Sequence, residues 1–214
     1  MVKKQKEHLE TLAEIRSLME RSSRFLSLSG LSGVAAGVWA LLGAAAVYVY
    51  LDIPLFSDKG THYYEILRNG RWDIPYQTFF LIDAALVLTL AVASALFFTI
   101  RKAKKNGWKI WDAMARRMVA NLAIPLAAGG IFCFALYKNG VFGLVAPATL
   151  IFYGLALVNA GKYTLNDIRN LGLIEILLGI IGLFYQGYGL ELWAIGFGIF
   201  HILYGLIMYN KYDH

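Results

Sequence analysis

Three ionisable side chains, Asp83, Glu175 and His201, fall inside long apolar stretches of this sequence. A charge in hydrocarbon is costly, so such groups mark proton relays, ion paths or substrate sites, or they pair with one another to fix helix register. Imidazole accepts at one ring nitrogen while it donates at the other, so a carboxylate beside a histidine can pass a proton or hold a cation. Gly172, Glu175, Gly179, Gly182 and Gln186 recur at steps of three and four residues, which places them on one helical face. Ala194, Gly198, His201 and Gly205 form a comparable face. Faces this small turn toward other helices and not toward lipid.

Glu175 and His201 stand seven and eight residues from the inner ends of their apolar stretches. At the α-helical rise those separations are ~10 Å and ~12 Å, so the two residues are level. Only the region around Gly187-Tyr188-Gly189 separates the stretches, which makes their helices neighbours and predicts that Glu175 and His201 approach each other. Asp83 lies near the outer end of its own stretch, too far along the membrane normal to meet Glu175, and is a candidate for an outer vestibule. Asn121 and Asn159, near the inner face, complete the candidate polar pathway.

Other chemistries lack their residues. The single cysteine, Cys133, allows neither a disulfide nor a cysteine-based metal site, and there is no His-Glu-x-x-His and no phosphate-cradling Gly-Lys motif. No histidine pair suits haem, and no stretch holds an internal lysine for a Schiff base. The sequence therefore predicts neither metal nor cofactor. With no nucleophile beside the Glu175 and His201 pair, an enzymatic role ranks below transport.

The elements that position these residues are membrane-spanning helices. The 214 residues are 58% hydrophobic and 16% charged, with mean hydropathy +0.56, a balance that belongs to bilayer proteins. Runs long enough to cross roughly 30 Å of hydrocarbon need about 20 residues. Six are present, at 27–50, 77–100, 118–137, 141–161, 168–186 and 191–209. Before the first, Leu9, Leu12, Ile15, Leu18 and Met19 recur among charges, predicting an amphipathic helix within residues 1–26 and a transmembrane domain over 27–214. Lys109–Val119 resembles a second surface helix.

Lys and Arg set the orientation. Sixteen fall on the side of both termini and four on the other, which predicts cytoplasmic N and C termini. The net charge of +6 is spread between apolar runs and forms no nucleic-acid face; its expected partners are the bilayer and anionic lipid at the cytoplasmic surface.

A weak repeat links the runs. Thirteen residues beyond Arg24, Arg117 and Arg169 lie Gly37, Gly130 and Gly182, and Tyr153-Gly154-Leu155 is echoed by Tyr204-Gly205-Leu206. This predicts an all-α bundle of three successive helical hairpins. Gly33, Gly37, Gly179, Gly182, Gly198 and Gly205 are its candidate packing positions, and Gly33-x-x-x-Gly37 permits close backbone approach within the chain or between copies.

The stretch Arg21-Ser22-Ser23-Arg24-Phe25-Leu26-Ser27-Leu28-Ser29-Gly30-Leu31-Ser32-Gly33 resembles the opening of a family of small six-helix bacterial inner-membrane proteins without an assigned activity. In architecture alone, three hairpins resemble the HdeD-like acid-resistance membrane proteins. Neither resemblance implies a functional residue. The sequence thus predicts a small-solute or proton transporter or channel-like protein, with a non-transporting structural or regulatory membrane module as the alternative.

Overall fold

A computed structural model of the chain describes Phe25 and residues 27–52 and 71–213. The amphipathic helix expected before residue 25 and most of the outer segment, residues 53–70, lie outside the described residues. Among those described the fold is helical throughout, with a single Arg71–Ile74 bridge and no strand.

Six helices follow in order: α1 Gly30–Leu51, α2 Tyr76–Lys105, α3 Ala113–Lys138, α4 Val145–Ala160 after a 3-10 turn at Phe142–Leu144, α5 Asn166–Phe184, and α6 Gly189–Tyr212. Five, counting Phe142–Ala160 as one, are long and apolar enough to cross a membrane. The exception, α5, carries Asp167, Arg169 and Glu175 in its 19 residues.

Local signals fix the ends. Helix α1 stops where Asp52 turns left-handed at φ 56°, a conformation a short polar side chain tolerates. Helix α2 stops in a Schellman turn, with Gly107 at φ 66° and the Trp108 amide donating to the Ala103 carbonyl at 2.9 Å. Asp112 then caps α3 by accepting from the Ala115 amide at 2.7 Å. These two devices leave residues 106–112 as a short connection, so the surface helix expected over Lys109–Val119, leading into the third span, begins only at Ala113 and is continuous with α3.

Packing crosses the boundaries of the expected hairpins. The most extensive contacts join α4 to α5 and α1 to α6, alongside those of α1 with α2 and α3 with α4. Helices α2 and α3 form the flanks, each with an open apolar side that includes Leu81, Leu88 and Phe97 on α2 and Ile124, Ile131 and Phe134 on α3.

Glycine makes the two central seams possible. A Cβ at Gly37 would lie 2.6 Å from the Gly198 carbonyl oxygen, and one at Gly33 3.2 Å from the Gly205 Cα, so the α1 seam packs on α6 within the chain. Gly179 and Gly182 press against Pro147 of α4. Of the three glycines in the spacing repeat, Gly130 alone meets nothing within 4 Å, and its neighbour Gly129 takes the contact with Phe152.

At Gly154 a Cβ would stand 2.5 Å from the Gly172 carbonyl, a backbone atom that cannot step aside. Gly154→Ala is therefore expected to destabilise the bundle by roughly 1–3 kcal/mol, as overpacking does, in a denaturing-detergent unfolding titration. Gly130→Ala, with open space around it, serves as the control and should unfold with the wild type. Equal stability of the two variants would contradict the seam.

The end of the bundle where α1 begins and α6 finishes is held by a buried clasp. The Lys102 ammonium lies 2.7 Å from Asp213 Oδ1, both side chains are 7% exposed, and the ammonium also donates to the Leu28 carbonyl at 2.8 Å. Asp213 Oδ2 accepts from Ser29 Oγ at 2.7 Å and from the Gly30 amide at 3.1 Å, capping α1 from the far end of the chain. Beside it, Asp167 of α5 accepts from Tyr212 at 2.8 Å and from Lys211 at 3.2 Å.

Candidate functional site

The sequence places Glu175 and His201 on neighbouring helices at one depth, and the structure brings them together: Glu175 Oε1 lies 3.3 Å from His201 Nδ1. The crossing of α4 and α5 sets this level. Gly154 and Gly172 meet backbone to backbone, so the residue before one and the residue one turn beyond the other, Tyr153 and Glu175, arrive at the same height.

Helix α6 delivers the histidine through an irregularity. Ala194–Phe200 is π-helical, a rare form that concentrates at functional sites, and His201 opens the α-helical part that follows. The imidazole turns back to the Gly196 carbonyl, 3.0 Å from Nδ1. A carbonyl only accepts, so Nδ1 bears the proton of that bond. Nε2 faces the Tyr153 hydroxyl at 2.9 Å, and in the neutral ring it accepts from it. The ring also stacks on Phe197, with centroids 5.7 Å apart and planes 16° from parallel, and Phe197 in turn contacts Trp193 and Tyr153.

Glu175 is 0% exposed, and neither carboxylate oxygen has a hydrogen-bond partner among the described residues. The Nδ1 proton is directed at Gly196 and not along the 3.3 Å contact. Glu175 Oε2 rests against Gly196, where a Cβ would collide with it, and the fully buried Leu150 closes the same space. Burying a carboxylate without donors costs several kcal/mol. The nearest group that could share a proton with this carboxylate is the His201 imidazole, 3.3 Å away.

The geometry permits a specific transfer. A proton entering at Nε2 from the tyrosine side would give the imidazolium, and a small ring rotation that turns the Nδ1 proton from the Gly196 carbonyl toward Glu175 Oε1 would let it leave there, converting one imidazole tautomer into the other. Such a transfer would make Tyr153, His201 and Glu175 a three-membered wire across α4, α6 and α5.

The remaining candidates do not join it. Asp83 packs against Gly43 of α1, its oxygens 3.4 and 3.5 Å from where a Cβ would stand, and has no partner among the described residues. Asn121 donates to the Arg117 carbonyl at 2.8 Å inside its own helix, and Asn159 accepts from Lys162 at 3.1 Å. No group of three metal-ligating side chains occurs among the described residues.

Sequence reasoning missed Tyr153 as a site residue. The signal available was its place in the echoed Tyr-Gly-Leu, directly before the glycine that sets the helix crossing. The chain matches no protein-family model, no curated protein and no solved structure.

Proposed function

We propose that this chain is a multi-pass protein of a bacterial inner membrane, with both termini in the cytoplasm, that moves protons, alone or coupled to a small solute, through Tyr153, His201 and Glu175. The observation that carries this reading is the wholly buried Glu175 carboxylate, which accepts no hydrogen bond among the described residues and has only the 3.3 Å contact of Oε1 with His201 Nδ1. A pair kept only to fix helix register gains by satisfying its acceptors, and this one leaves Oε2 with no donor among the described residues. Five helices apolar enough to span, open apolar flanks on α2 and α3, and sixteen Lys and Arg on one side against four on the other support the placement.

The test is pH-gradient-driven proton flux in liposomes containing purified protein. Glu175→Gln and His201→Ala are expected to reduce flux roughly 100-fold or more, the scale of losing a positioned proton carrier. Tyr153→Phe, which removes only the hydroxyl, should lower it in the same direction. Size-exclusion elution and melting confirm that the variants fold. A silent wild type, with variants that merely melt earlier, would make the trio a structural clasp and favour a non-transporting membrane module.

A further inference from the structure

The inner end presents a second surface that the wire does not use. Between α2 and α3, Lys104, Lys105 and Lys109, with Arg116 and Arg117 opposite, are all exposed and make no ion pair among the described residues. Their nearest basic neighbour, Lys102, is withdrawn into the clasp with Asp213. Asp112 is the one acidic residue of residues 101–117, and one of its oxygens is committed to capping α3. Among the described residues these five cations therefore have no ion-pair partner.

Apolar groups stand among these cations. Trp108 is 42% exposed, Ile110 37% and Trp111 65%. The Schellman turn at Gly107 and the Asp112 cap fix the connection at both ends, so the indoles are presented and not collapsed onto the bundle. Indoles favour headgroup depth, and lysines close by favour phosphate. An acidic soluble protein would match the charge but gives no reason for two unburied indoles and an isoleucine at the level where two apolar helices end.

We infer that the connection between α2 and α3 is a binding platform for the headgroup of an anionic phospholipid, with Lys104, Lys105 and Lys109 engaging the phosphate and Trp108 and Trp111 lying at the glycerol level. The inference is independent of proton transfer at Glu175.

The test measures the restricted fraction of spin-labelled phosphatidylglycerol and of spin-labelled phosphatidylcholine around the full chain in phosphatidylcholine bilayers. Wild type is expected to prefer phosphatidylglycerol about fivefold, the factor that one lysine near a membrane surface contributes. Lys104→Gln, Lys105→Gln and Lys109→Gln combined should bring the preference to about one, while the same three positions changed to Arg should retain it. Lys138→Gln, at the opposite end, should leave it unchanged. Full preference in the triple Gln protein would overturn the platform, and so would an equal loss in Lys138→Gln, which would assign the effect to net charge alone.

Discussion

Lys102→Met is expected to cost the bundle roughly 3–5 kcal/mol, the range for removing one member of a buried ion pair. The methionine fills the volume of the stem, so the loss reports the charge: Asp213 is left with its carboxylate buried and its closest cation gone. Ser29 and the Gly30 amide still donate to Oδ2, but nothing replaces the ammonium at Oδ1, 2.7 Å away in the wild type. The pair ties the end of α2 and the end of α6 to the start of α1, so its loss should loosen three helices together. Adding Asp213→Asn to Lys102→Met should restore part of the stability, since an amide oxygen accepts the same two donors without a charge to bury. The measurement is a denaturing-detergent titration of both single variants and the double. If the two single losses simply add, the groups do not act as a pair.

The second large effect is expected at Gly196. Its carbonyl holds His201 Nδ1 at 3.0 Å, and its missing side chain makes the space in which Glu175 Oε2 rests. In Gly196→Ala the new methyl would collide with that oxygen and stand 2.7 Å from Leu150 Cδ2. Both side chains are fully buried, so neither has solvent to move into. The carboxylate must shift away from the imidazole. Misplacing a reacting group by about 1 Å commonly costs on the order of 100-fold in rate, and proton flux should fall by about that factor while Tyr153, His201 and Glu175 are all still present. Wild-type flux in a folded Gly196→Ala protein would show that protons do not pass through Glu175 and His201.

Much of the fold was legible because a spanning helix announces itself by length and apolarity, and the six expected runs lie within a few residues of the six helices. The meeting of Glu175 and His201 was legible for a related reason: polar groups on small-residue faces, level in depth and separated by a tight turn, have few other places to go. Which neighbours those small faces pack on was not. Gly172 and Gly179 of α5 lie against α4, and Gly198 and Gly205 of α6 lie against α1. Glycine spacing shows that a backbone approaches closely without naming the backbone.

Tyr153 was hidden because α4 is apolar nearly all round, so no pattern distinguishes the face that meets His201. The Lys102 and Asp213 clasp was hidden because charges at helix ends read as sidedness, and only folding shows that one of them is withdrawn from the surface. Asp83, Asn121 and Asn159 were grouped with the pair by residue type, and local bonds or helix packing account for each of their positions.

The π-helical stretch of α6 bears on how such a site is gained or lost. Bonding from residue i to i+5 accommodates one more residue in a turn than bonding to i+4. Removing a single residue within 194–200 therefore lets the wide turn close to an ordinary α-turn, with the helix on both sides kept nearly in phase. A one-codon deletion there acts as a dial on the Gly196 carbonyl, 3.0 Å from His201 Nδ1: it re-aims the group that holds the imidazole without changing Tyr153, His201 or Glu175. The glycine seam with α1 runs through that stretch at Gly198 and beyond it at Gly205, so any such change must also find a new fit for α1.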